Sequence, residues 1–450
     1  MIKKSLALNV VLIGLKALND CMKNCHFGYK SNGFTVVFGI LIVFLCVLPA
    51  NASITIPGAD GSDGALQITA TTVIDLSKAV TGVWDDNNSA NAGKGIYDPQ
   101  KWAVVFKYSS VTIDAGVTLS FSNHPSRAPV VWLVNGNVTI DGTLSLDGES
   151  YKNSPANSEP GPGGFRGGAG TYASGVGAGA GFGPGGGQRQ STVGYAGSYG
   201  TIGGNGPEEY GNQSLIPLIG GSGGGADIDG SLRGGGAGGG AILIACKKTL
   251  SVNGIICSNG GSGQTYHYSH SMDTGGGSGG GIRIVTDTLI GTGNVYALGG
   301  GGNRTGGMGI IRIERVVNEN TLEIVPGPSI VNLPSATTAN LWPPDSAPTV
   351  KILSIGGQST PDDPCSEFGA HGADLVLPEV SSTQVVVETT NVEQASQVIV
   401  RVTPRFNANY ITANATVDNV VSTDPLVIHW VADLSVNVGY SAVQVKVIRP

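Results

Sequence analysis

Ala241–Gly260 reads AILIACKKTLSVNGIICSNG: an apolar run, a polar break, a second run, an Asn-Gly step and a third run that closes on Gly. Alternation at period two turns one face of such a strand inward and the other outward. The same order recurs in Trp102–Phe121 (WAVVFKYSSVTIDAGVTLSF), Val130–Gly148 (VVWLVNGNVTIDGTLSLDG), Ile282–Gly299 (IRIVTDTLIGTGNVYALG) and Ile310–Gly327 (IIRIERVVNENTLEIVPG). One unit cannot bury its apolar face alone, so the five are expected to stack. Their starts lie roughly 28 to 110 residues apart, which argues against a strict short-period solenoid. The expectation is an all-β chain whose larger part is a parallel β-helix-like repeat domain with glycine-rich insertions. A β-propeller is the competing architecture, but it needs four strands per blade, and these units supply two or three. Ile140, Leu144, Ile244, Ile284 and Ile313 are the expected core positions.

Glycine supplies 72 of the 450 residues, concentrated in tracts between the units. Tyr151–Gly240 holds PGPGGFRGGAG, GAGAGFGPGGG and GGSGGGADIDG, with no strict third-residue repeat, which excludes collagen. Two readings stand. One is a flexible surface loop; the other is a close-packed bundle of extended, polyproline-II-like segments on the flank of the β-helix, joined by backbone hydrogen bonds that side-chain-free residues permit. The island Tyr210–Ile219 (YGNQSLIPLI) favours local order, because its apolar residues need a surface to pack against.

Charged residues are 13% of the chain and the net charge is −7, so nucleic acid is excluded as a partner for want of a basic surface. Residues 1–52 read as a signal region. Phe34–Leu48 is an unbroken apolar run preceded by Lys23 and Lys30 and followed by Ala50-Asn51-Ala52, a small-x-small cleavage pattern that would leave Ser53 as the mature start. The run is short for a stable span, so membrane contact is expected only through this segment. Met22-Lys23-Asn24 reads as an alternative beginning, which would make Met1–Cys21 an artefact of start assignment. The protein is expected to be secreted or displayed at the cell surface.

Residues 53–340 form the expected glycine-rich domain and 341–347 a linker. After Pro343-Pro344 glycine becomes rare, and 348–450 reads as seven short strands: Val350–Ile355, Asp374–Leu377, Gln384–Thr389, Gln397–Thr403, Ile411–Val417, Leu426–Val431 and Ala442–Ile448. Seven strands in about 100 residues match an Ig-like or fibronectin-III-like β-sandwich. The chain beyond the signal keeps Cys246, Cys257 and Cys365, an odd number. Cys246 and Cys257 flank a turn, and their phase places both inside as small apolar residues in preference to a disulfide.

The phrases PLIGGSGGG (Pro217–Gly225) and GGGAGGGAILI (Gly234–Ile244), followed by Val252-Asn253-Gly254 and Asn259-Gly260-Gly261, resemble those of glycine-rich secreted, adhesin-like surface proteins of bacteria. The resemblance covers about residues 100–315. It implies an exported, surface-associated β-structure and brings no catalytic residues. A weaker similarity to glycine-rich phage adhesins departs from this chain in that those carry no signal peptide.

Residues with chemistry are few. Asp60 and Asp63, Asp85-Asp86, and Asp227 with Asp229 near Arg233 are the candidates for a calcium site, against a plainer role as turn residues that accept backbone N–H bonds. Gln264–Asp273 (QTYHYSHSMD) puts Tyr266, His267, Tyr268 and His270 in a tip between two units. Exposed rings there suit stacking on sugars, and His267, His270 and Asp273 are the one metal-like set, although a loop does not hold such spacing rigid. No GxSxG, HExxH or phosphate-binding loop occurs. The functional expectation is a structural or adhesive protein that binds an extracellular glycan or a surface protein. The alternative is a polysaccharide lyase or glycoside hydrolase on the same β-helix, which would need a groove lined by converging carboxylates and a basic partner.

Overall fold

A computed structural model describes residues 53–86, 89–171, 178–190, 193–227, 232–265, 273–365, 372–378, 382–406, 409–436 and 438–450. Among them there is no α-helix, only two single-turn 3-10 segments at Leu76–Lys78 and Ser89–Asn91. No helix among the described residues is long and apolar enough to cross a membrane, and the expected export segment lies outside them.

The five units lie side by side, in chain order, in two parallel sheets. In the larger sheet Ala103–Tyr108, Val130–Val134, Ala241–Val252, Gly281–Gly291 and Ile310–Asn320 pair in register, so that Phe106, Trp132, Ile244, Ile284, Ile313 and Ile330 form one column. In the smaller sheet Thr118–Ser122, Thr143–Ser145, Ile255–Cys257, Asn294–Tyr296 and Glu323–Val325 align Leu119, Leu144, Ile256, Val295 and Ile324 in a second column. Apart from Ile330, which is exposed at the end of its column, both columns pack into one core, in which the five positions expected from the alternation are all buried. The opposite face of the larger sheet is also covered. Val105, Val131, Leu243, Ala245 and Val285 pack there against Ile54, Ile56, Ala339 and Leu341, which explains why these strands read as nearly continuous apolar runs.

The glycine tracts leave the smaller sheet and return to the larger one, and they pack as a bundle. Its hydrogen bonds repeat every third residue. Gly236 and Gly239 donate to the Gly275 and Ser278 carbonyls, Ala237 and Gly240 to Glu149 and Leu146, and Gly238 and Ala241 to Phe165 and Pro162, at 2.6–2.9 Å. A period of three is the turn of an extended polyproline-II-type helix, which has no internal hydrogen bonds and must find partners outside itself. Here each segment is satisfied by several neighbours at once. Side chains are excluded by the same contacts: a Cβ on Gly236 would meet the Gly261 carbonyl oxygen at 1.9 Å, and one on Gly280 the Gly240 oxygen at 1.8 Å. Of the two sequence readings, the described tracts follow the packed bundle. The island also finds its surface, because Leu215 is buried against Tyr199 and Ile310, and the Tyr199 and Tyr210 hydroxyls donate to the Ile219 and Gly220 carbonyls.

The C-terminal strands Thr349–Ile355, Gln358–Ser359, Thr383–Thr390, Gln397–Pro404, Ile411–Thr423, Leu426–Leu434 and Ser441–Ile448 form one antiparallel sheet. The long Ile411–Thr423 strand pairs through its first half with Gln397–Pro404 and through its second with Leu426–Leu434. This curls the sheet into a half-barrel around Val385, Val387, Val400, Ile428 and Trp430, in place of two separate layers. Asp374–Leu377, read as a strand, is irregular. Gln358 Nε2 takes the Val376 carbonyl, Asp374 accepts the Cys365 N–H, and Pro378 lacks a donor, so no ladder can run through it.

Arg401 ties this sheet to the glycine bundle. It is 7% exposed, and its guanidinium donates to the Gly181, Pro184 and Gly186 carbonyls and to Thr403, 3.4 Å over the Tyr410 ring. Burial lowers its pKa to about 10, which leaves it charged at neutral pH.

Candidate functional site

Hydrogen bonds in the bundle tie together positions far apart in the chain. Gln264 and Thr274, which flank Tyr266–His270 in sequence, pair with each other: the Thr274 N–H donates to the Gln264 carbonyl while the Thr274 hydroxyl accepts the Gln264 N–H. Asp273, 1% exposed, accepts from Asn303 Nδ2 at 2.8 Å, and its carbonyl accepts the Gly194 N–H. Gly225 donates to Tyr195 and accepts from Gly275, Leu232 donates to Thr171, and Arg233 bonds the buried Asp227 carboxylate at 3.3 Å. A network of backbone and side-chain hydrogen bonds therefore involves residues 171, 194, 227, 232, 264, 273 and 303. Buried hydrogen bonds hold these positions fixed relative to one another.

Tyr266, His267, Tyr268 and His270, the residues singled out from the sequence, lie outside the described residues, as does Asp229. The remaining aspartates are engaged in the protein's own structure. Asp60 accepts the Ser62 N–H, Asp63 takes the N–H groups of Gly93 and Lys107, and Asp86 accepts from Asn91. Asp85 is exposed. Between them the buried Lys107 ammonium donates to the Asp86 carbonyl and stands 3.6 Å from Asp60, so a protein cation sits where a calcium ion would be sought. Among the described residues no group of three His, Cys, Asp or Glu side chains is arranged to hold a metal.

Cys246 and Cys257 are buried and unbridged, and burial pushes their thiols up to about 11 and about 12. Neither is a nucleophile at neutral pH. The cluster nearest to catalytic chemistry was not legible in sequence because its members are far apart: Tyr97, His124, Ser126 and Asp363. The Ser126 hydroxyl is 2.8 Å from His124 Nδ1, the Tyr97 hydroxyl donates to Asp363 at 2.5 Å, and the Tyr97 ring stacks on the imidazole. Burial holds His124 below its usual pKa, with the Asp363 charge opposing, and burial together with the Asp363 bond raises Tyr97. The Ser126 N–H also donates to the same Nδ1, which makes the Ser–His contact part of a local turn, and the carboxylate bonds the phenol and not the imidazole. This differs from a nucleophile, base and orienting acid in series.

Comparison with known proteins returns no match: no family model, no curated protein and no solved structure is similar to this chain.

Proposed function

We propose that this chain is a secreted or surface-displayed adhesive protein that binds an extracellular glycan or surface protein through the loop-bearing end of its glycine bundle. In this reading the stacked units are a parallel β-helix, the bundle is its rigid flank, and the curled C-terminal sheet serves as spacer. The observation that supports it is the hydrogen-bond network among residues 171, 194, 227, 232, 264, 273 and 303, in which Asp273 and Thr274 fix the backbone that follows Tyr266–His270 in sequence. Aromatic rings on a rigid mount bind sugars and proteins with little ordering cost. Export through the 1–52 segment supplies the compartment.

The test pairs binding with processing. Protein recovered from medium or cell surface should begin at Ser53, and Tyr266→Ala with Tyr268→Ala should weaken retention on a glycan array without altering the melting temperature. Unchanged retention in the double variant overturns the reading. Shortening of a polysaccharide by the purified protein would favour a β-helix carbohydrate-active enzyme instead.

A further inference from the structure

A cavity of about 340 Å³ lies where the larger parallel sheet meets the Leu215–Leu218 stretch and the segment leading to the C-terminal strands. That volume falls within the range of small-molecule sites. Its walls include Trp102, Val131, Leu218, Leu243 and Trp342, and polar side chains stand at Gln100, Lys101 and Asp345. We infer that this cavity is a second binding site and that its ligand is a neutral hexopyranose unit.

Both walls are held in place by buried charges. On one side the Asp98 carboxylate, 3% exposed, accepts the N–H groups of Trp84, Gln100 and Lys101, which fixes the turn carrying Gln100, Lys101 and Trp102. Trp102 sits at φ +46, a conformation that bulky residues avoid, with its indole N–H donating to the Ser126 carbonyl at 3.0 Å. Strained backbone maintained by surrounding bonds is concentrated at ligand sites. On the other side Arg283, paired with Glu314, donates to the Asn340 and Leu341 carbonyls and anchors the chain immediately before Trp342.

The occupant follows from the chemistry of the lining. Trp102 and Trp342 give the cavity aromatic surface beside Leu218 and Leu243. Lys101 and Asp345 carry opposite charges, and together they supply donor and acceptor with no net charge. A pyranose meets both demands. Its C–H face suits tryptophan and leucine surfaces, its ring or hydroxyl oxygens accept from the ammonium, and its hydroxyls donate to the carboxylate. Arg283 is a positioning residue, since its donors are already taken by Glu314 and the two carbonyls.

Methyl glucoside, galactoside and mannoside at millimolar concentration, with L-leucine as a zwitterionic comparison, are the probes. Indole N–H resonances of the full mature chain provide the readout, with the Trp342 signal identified by its loss in Trp342→Phe. At least one methyl hexoside should shift that signal saturably. The exposed Asp345→Asn, which keeps the Trp342 signal, should weaken binding about tenfold. The Tyr266→Ala, Tyr268→Ala double variant should leave this titration unchanged, which separates the cavity from the loop end. A Trp342 signal unmoved by every hexoside, or moved only by leucine, overturns the inference.

Discussion

The parallel sheets and the glycine bundle solve the same problem with opposite materials. In the sheets, columns of large side chains such as Phe106, Trp132, Ile244, Ile284 and Ile313 fill the space between layers, and stability comes from apolar area removed from water. In the bundle, interior volume is filled by backbone. Segments approach until carbonyl oxygens occupy the positions a Cβ would take, and the largest side chain admitted at Ala237 and Ala226 is a methyl. The sheets therefore tolerate exchange among apolar residues of similar volume, whereas the bundle tolerates nothing added at its contact glycines. The two are continuous: Gly240 donates to Leu146, and the next residue opens the Ala241–Val252 strand.

Three substitutions test that contrast. Ile284→Asp should have the largest effect, above about 4 kcal/mol, because lost burial adds to an unpaired interior charge. A melting temperature equal to that of the parent would refute the column as core. Gly236→Ala comes next, at about 3 kcal/mol, since one methyl must displace the Gly261 carbonyl and the hydrogen bonds around it. Urea unfolding checks it; a cost below that of an ordinary glycine-to-alanine change would mean the bundle yields to side chains and differs little from a loop. Gly327→Ala should have the smallest effect, within about 0.5 kcal/mol and of stabilising sign. Nothing lies within 4 Å of its Cβ position and its φ is not positive, so the change mainly restricts the unfolded chain. Destabilisation comparable to Gly236→Ala would show that glycine matters here for a reason other than close approach.

Much of the architecture was legible because side-chain alternation is a local record of which face meets the core. The units, their core residues and six of the seven C-terminal strands follow from it, as do the interior thiols. Asp374–Leu377 misled because its composition suits a strand while its contacts are irregular: the Val376 carbonyl accepts from the Gln358 side chain and the Asp374 carboxylate from the Cys365 N–H. Asp60 and Asp63 accept backbone N–H groups, the plainer role read for them, but neighbouring aspartates say nothing about Lys107, which arrives from a strand more than forty positions beyond Asp63.

By itself the sequence determined the strand faces and the grouping of glycine into tracts, properties carried by side chains or their absence along a few residues. Only the tertiary structure decided which glycine segment bonds which, that Arg401 inserts into the bundle, and that Asp98 and Arg283 fix the two walls of the cavity holding Trp102 and Trp342. The reason is physical. A glycine presents the same N–H and C=O wherever it stands, so its partners are selected by how the folded chain brings distant backbone together, and that selection leaves no mark on the residue itself.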